Sequence, residues 1–124
     1  MNVIGHNSRV PPVSKGRSMY AIVFDLDTNS LKEVYPGQSW NNAYYEIRSF
    51  LADRGFGWQQ GSTYFGDDSV DAVGCVLTIQ ELTDGFDWFA ASVRDIRMLR
   101  IEENNDLMPA VERASAKKTG KGKA

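Results

Sequence analysis

Two carboxylates placed two residues apart, Asp25 and Asp27, close the apolar run Tyr20-Ala21-Ile22-Val23-Phe24. Successive side chains of a strand point to opposite faces, so both acids share the face of Ala21 and Val23. A carboxylate at the edge of an apolar surface must be hydrated, paired, protonated or bound to a cation. That placement suits proton abstraction by a general base, or the holding of a divalent metal through oxygen ligands. The plainer alternative is that the acids solvate the strand end or cap the turn after it. A second set, Arg94, Arg97 and Arg100, interleaves with the last apolar stretch and could contact phosphate. Facing an acidic domain, at least two of these three are expected in internal salt bridges instead. The single histidine, His6, rules out two-histidine acid-base catalysis within one chain. The single cysteine, Cys75, rules out a disulfide framework and a Cys-based structural zinc site.

The elements that must position these residues follow from periodicity. Residues 20–26 read as a buried strand, and Asn29-Ser30 as the turn after it. Pro36-Gly37 marks a further turn, and Ser39 is an N-cap for a helix that ends at Gly55. That helix carries Trp40, Ala43, Tyr44, Ile47, Phe50 and Leu51 on its apolar face and Glu46, Arg48 and Asp53 on the other, so its Tyr and Trp residues read as core. Phe56 to Phe65, broken at Gln60-Gly61, predicts two short strands. Gly66-Asp67-Asp68-Ser69 opens a second helix with Val70, Val73, Val76, Leu77, Ile79 and Leu82, ending near Asp84-Gly85. Gly74 inside it, about 1 kcal/mol worse than alanine in a helix, predicts close packing on the sheet. Phe86 to Ser92 predicts one short helical turn. Val93 to Glu102 is the last strand, with Ile96 and Met98 on one face and Leu99 and Ile101 on the other. A short helix from Pro109 to Ala116 and a disordered tail from Lys117 to Ala124 complete the chain.

The order β, α, β, β, α, β is that of a ferredoxin-like α+β unit, an antiparallel sheet with two helices on one face. Its first and last strands, expected as neighbours near the middle of the sheet, are apolar on both faces, and a second copy of the chain is the economical cover for the open side. A chain of 124 residues suits one domain. Residues 1–18 read as a flexible extension, 19–108 as the domain, and 109–124 as a basic tail. The net charge of −2 hides a division: acids concentrate in 19–108, whereas both ends are basic. An acidic domain argues against broad phosphate-backbone binding by the domain itself, so any nucleic-acid contact is local. No run of about 18 apolar residues exists for a membrane span, and the N-terminus has no apolar signal region, so a cytoplasmic location is expected.

Three blocks, Tyr20-Ala21-Ile22-Val23-Phe24-Asp25-Leu26, Gln60-Gly61-Ser62-Thr63-Tyr64, and Ser92 to Arg97 with Arg100-Ile101-Glu102, resemble the virulence-associated protein D family over roughly residues 19–107. The resemblance implies a homodimeric endoribonuclease on a ferredoxin-like fold, related to the small CRISPR-associated spacer-acquisition nucleases and discussed as a toxin component, with RNA as substrate and an antitoxin protein as a further partner. It maps the catalytic carboxylate onto Asp25 and a catalytic serine onto Ser62. Arg94, Arg97 and Arg100 are then the RNA-binding candidates. The family pattern does not require the N-terminal extension, the lysine tail or Asp27.

Two rival readings compete. Asp25-Leu26-Asp27-Thr28 with Gly66-Asp67-Asp68-Ser69-Val70-Asp71 also resembles the motifs of haloacid-dehalogenase-type phosphatases, but too few residues intervene for the crossovers of their parallel core. A non-catalytic dimeric RNA-binding or toxin-neutralising module would keep the fold and lose the chemistry. For an enzyme, two mechanisms stay open. Asp25 from two protomers could converge on Mg²⁺, or Asp25 could act as a general base on the ribose 2′-hydroxyl while Ser62 and backbone N–H groups stabilise the developing charge.

Overall fold

The computed structural model describes residues 18–123, with side chains described to residue 118. The extension read over residues 1–18, apart from Ser18, lies outside the described residues, as do His6 and the side chains of Lys121 and Lys123. The elements in order are β1 (Met19–Leu26), α1 (Thr28–Val34), α2 (Asn42–Ala52), β2 (Phe56–Gln60), β3 (Thr63–Gly66), α3 (Ala72–Gly85), α4 (Asp87–Ser92), β4 (Val93–Ile101) and α5 (Met108–Lys123). The four strands form one antiparallel sheet in the order β2-β3-β1-β4, the α+β arrangement of a ferredoxin-like unit. β1 and β4 are neighbours as expected. β4, however, lies at the sheet edge rather than near its middle.

Apolar alternation sets the core. Ile22, Phe24 and Leu26 of β1 point into a cluster with Phe56, Tyr64, Leu31, Ile47, Leu51, Leu82 and Phe89. Phe24 stacks on Tyr64 with ring centroids 5.9 Å apart and meets Phe89 edge-on at 6.2 Å. The opposite sheet face carries Ala21, Val23 and Asp25 of β1, paired across to Leu99, Arg97 and Asp95 of β4.

Five local expectations need correction. Ser39 does not cap α2, whose N-cap is Asn41, without a side-chain cap hydrogen bond, and which starts at Asn42. Asn29-Ser30 is the first turn of helix α1, because Asp27 accepts hydrogen bonds from the N–H groups of Asn29 (3.0 Å) and Ser30 (3.3 Å), which supplies the cap a short helix needs. Leu31, fully buried, then anchors that helix. The second long helix does not open at Gly66-Asp67-Asp68-Ser69 but at Ala72, with Asp71 as its N-cap; Cys75, Thr78 and Leu82 face inward, while Val73, Val76 and Leu77 are 65, 53 and 52% exposed. Gly74 does not meet the sheet. A Cβ there would sit 3.1 Å from Asp71 Oδ1, and the Gly74 N–H donates to that oxygen at 2.7 Å, so its room is taken by the helix cap. Finally, α5 runs to Lys123, past the expected end at Ala116 and through the stretch read as a disordered tail. The turn at Gln60-Gly61 is where expected, with Gly61 in the left-handed region at φ +53°.

Candidate active site

The C-terminal end of β1 gathers the chemistry. Register between β1 and β4 runs without interruption from Met19↔Ile101 to Asp25↔Asp95, then skips to Leu26↔Val93, leaving Arg94 as the extra residue of a β-bulge. A bulge bends its strand and re-aims a side chain. Here the guanidinium of Arg94 lies 3.6 Å from Asp25 Oδ2 and 3.8 Å from Asp27 Oδ2, and so serves both acids. The bulge also lets the Asp27 N–H reach the Ser92 carbonyl at 2.7 Å, which holds the end of β1 in place. The Asp25 side chain is 60% exposed and open to a substrate.

On the other edge of β1, Val23 pairs with Thr63, and the Phe24 N–H donates to the Ser62 carbonyl at 3.1 Å. The β2–β3 turn therefore brings the backbone of Ser62 alongside Phe24, one residue from Asp25. Trp58 ties the turn down, its indole Nε1 donating to the Gly61 carbonyl at 2.8 Å.

Tyr44 packs against the core, as sequence reasoning expects, and is also within electrostatic reach of Asp25. Burial, and then the negative charge of Asp25, hold the Tyr44 phenol above its usual pKa. Arg48, one helical turn further along α2, is not a solvated charge. Its guanidinium carbon lies 3.8 Å from the Trp58 ring centroid and 5.5 Å from that of Tyr45. Its Nε is buried without a hydrogen-bond partner, an arrangement that costs about 1–3 kcal/mol. Burial pushes up the pKa of Tyr64, and a hydrogen bond to Arg48 with that charge partly reverses the shift. The signal that could have revealed this group is the spacing of Tyr44 and Arg48, which share one helix face at i, i+4. Asp95, directly opposite Asp25, was also missed. Like charges facing each other across strands repel, and the Arg94 and Arg97 guanidinium groups offset that repulsion.

At least two of the three arginines are expected in internal salt bridges, and all three are paired in this way. Besides Arg94, Arg97 Nε lies 3.1 Å from Asp95 Oδ1, and Arg100 Nε lies 2.8 Å from Glu102 Oε2. Only Arg94 is brought to Asp25. Arg100 also donates to Ser18 Oγ, toward the far end of β1. For Mg²⁺, Asp25 and Asp27 offer the oxygen ligands it prefers, but Arg94 already sits against both. Among the described residues no group of three or more His, Cys, Asp or Glu side chains could hold a metal ion. No helix among the described residues is long and apolar enough to cross a membrane.

No protein-family model matches the chain. Individual relatives do. The chain is 53% identical over 93 residues to Endoribonuclease VapD 2 of Riemerella anatipestifer, covering 75% of this chain and 99% of that protein. It is 53% identical over 94 residues to Endoribonuclease VapD homolog of Helicobacter pylori, covering 76% and 97%, and 40% identical over 98 residues to Endoribonuclease VapD of Dichelobacter nodosus, covering 77% and 100%. These matches span nearly the whole of each relative and leave about a quarter of this chain outside them. Identity at that level across entire relatives means that the chain belongs to the virulence-associated protein D family.

Proposed function

We propose that this protein is an endoribonuclease that cleaves RNA through attack by the ribose 2′-hydroxyl, with Asp25 as general base. The observation that carries the reading is the junction at the end of β1, where an accessible Asp25 carboxylate lies between a bulge-directed Arg94 and the hairpin turn of Ser62. The endoribonuclease names of its relatives support the same reaction class. Asp25 removes the 2′-hydroxyl proton and the freed oxygen attacks the adjacent phosphorus. The bond from phosphorus to the 5′-oxygen then breaks, that oxygen takes a proton from water, and the products end in a 2′,3′-cyclic phosphate and a 5′-hydroxyl. The Ser62 hydroxyl and N–H groups of its turn stabilise the charge gathering on the phosphoryl oxygens. Arg94, 3.6 Å from Asp25 Oδ2, supplies a positive charge beside the base that also faces the phosphodiester.

The active form in this reading is a homodimer, in which a second copy covers the sheet face of Ala21, Val23 and Leu99. Sedimentation is expected to show a dimer at micromolar concentration, and a stable monomer would remove this part of the reading. A toxin role, with an antitoxin protein as partner, follows from the family resemblance and predicts that induced expression slows growth only when Asp25 is intact. Digestion of a defined RNA tests the chemistry itself. Cyclic phosphate ends formed in the presence of chelator are expected, whereas chelator-sensitive cleavage leaving 5′-phosphate ends would replace this mechanism with a cation-assisted one held between two copies of Asp25.

A further inference from the structure

Unlike Arg54, Arg94, Arg97 and Arg100, Arg48 pairs with no carboxylate among the described residues. Its hydrogen bond to the neutral Tyr64 hydroxyl leaves that charge uncompensated among the described residues, and its guanidinium plane is fixed over Trp58 at 3.8 Å with Nε buried and unpartnered. The next ring outward, Tyr45, lies 5.5 Å from the same guanidinium carbon and is 63% exposed, the one aromatic among the exposed large apolar side chains described. Through its bond to the Gly61 carbonyl, Trp58 joins this stack to the turn that carries Ser62. Exposed aromatic faces and guanidinium planes are the surfaces on which unpaired bases stack, and an unneutralised arginine beside them attracts the phosphate.

We propose that Tyr45, Arg48 and Trp58 form a nucleotide-binding subsite for single-stranded RNA, with one unpaired base stacked on the outer face of Tyr45 and its phosphate drawn to Arg48. The proposal rests on the ribonuclease reading, and it places the bound strand across the Gly61-Ser62 turn, so that a neighbouring phosphodiester reaches Asp25. It also explains how a domain rich in acids binds a polyanion: contact is confined to one stacked nucleotide and one positive charge.

Binding of a short, unstructured, fluorescently labelled RNA to the full chain, followed by anisotropy in an Asp25→Asn background that prevents cleavage, tests it. Tyr45→Ala is expected to weaken binding about tenfold and Tyr45→Phe to restore it, since stacking needs the ring and not the hydroxyl. Arg48→Gln is expected to weaken binding and to lower the slope of log affinity against log salt by about 1. In the cleaving protein, Tyr45→Ala raises KM by a larger factor than it lowers kcat. Because Tyr45 is exposed, its variants keep the wild-type unfolding temperature, and the test stands even where Arg48→Gln perturbs folding. Unchanged RNA affinity in Tyr45→Ala overturns the subsite while cleavage by the Asp25 protein leaves the ribonuclease reading intact. Lost affinity in the variants of a protein that never cleaves RNA keeps the subsite and removes the ribonuclease reading. A parent protein that binds no RNA overturns the subsite as well.

Discussion

Helices α2 and α3 lie side by side on one face of the sheet, joined at their ends by the 2.8 Å pair between Arg54 and Glu81, yet they turn different surfaces outward. Both bury three residues at helical spacing, Ala43, Ile47 and Leu51 on α2 and Cys75, Thr78 and Leu82 on α3. Beyond that stripe, α2 presents Tyr44, Tyr45 and Arg48 toward the end of β1 and the β2–β3 turn, whereas α3 presents Val73, Val76 and Leu77. Equivalent packing positions in the two halves of a βαββαβ chain thus leave the outer faces free to differ. In the first half that freedom is used for two tyrosines and an arginine. In the second, an apolar surface continues into a groove between α3 and β4 of about 240 Å³, lined in part by Ile22, Cys75, Ile79 and Met98. Cys75 there is chemically quiet, because burial, with Asp71 adding, pushes its thiol up to about 11.

The sharpest way to break the comparison is to remove charge at the site that α2 faces. Asp25→Asn is expected to lower RNA cleavage by about 10²–10⁴ while leaving the unfolding temperature near that of the wild type, the range typical for loss of a general base. Asp27→Asn keeps a capping oxygen for α1 and should change cleavage far less. Full activity in Asp25→Asn would end its assignment as the base. Next in size is a pair of stability measurements on α3. Leu82→Ala, at a fully buried position, is expected to cost about 2–5 kcal/mol in denaturant unfolding. Leu77→Ala, at a half-exposed position, should stay within about 0.5 kcal/mol. A large cost at Leu77 would mean that the outward face of α3 is covered in the native assembly, which would draw the two helices' roles closer together.

The legible parts of this chain were those in which a long pattern agrees with its neighbours. β1 was readable because five apolar residues precede its acids, the hairpin because Gln60-Gly61 interrupts a strand pattern, and the buried stripe of α2 because Ala43, Ile47 and Leu51 repeat at helical spacing. Helix α1 was hidden because its seven residues are too few to show a period, and its stability comes from the Asp27 cap and one buried leucine. The buried side of α3 stayed open because apolar residues occur around most of that helix, so periodicity could not choose it. The chemistry divided in the same way. Asp25 was evident as a carboxylate ending an apolar run, and the resemblance pointed to Ser62. The bulge that aims Arg94, and the fold of Arg48 over Trp58, depend on contacts between segments distant in sequence, which no local pattern records.

A smaller effect is expected from α5, whose described side chains are all exposed, Met108 and Val111 included, as is Leu107 just before it. Its residues include Arg113, Lys117 and Lys118, in contrast to the acidic domain. Deletion of 109–124 should leave folding and the chemical step in place while weakening RNA binding several-fold and flattening its salt dependence, because fewer phosphates are neutralised. Unchanged affinity and salt slope would show that RNA contact belongs to the α2 side alone.

The smallest effect expected concerns how α2 is held. Tyr35, in the connection from α1, donates its hydroxyl hydrogen bond to Glu46 on α2 at 2.6 Å. That bond, then burial and the Glu46 charge, push the Tyr35 phenol up to about 12 from its ordinary 10. The folded protein therefore binds this proton more tightly than the unfolded chain. Its stabilising effect is complete below about pH 10 and is lost as pH rises toward about 12, since a group whose pKa is raised by folding favours the native state only while it keeps its proton. Tyr35→Phe should abolish that part of the alkaline loss and lower stability at neutral pH by about 0.5–1.5 kcal/mol, with a hydrogen bond to a charged acceptor toward the upper end. Unfolding followed between pH 8 and 12 in both proteins decides it: parallel curves would mean that Tyr35 does not restrain α2. Converging curves would place the restraint on the Tyr35–Glu46 bond, on the side of the sheet where Tyr44, Tyr45 and Arg48 must keep their positions.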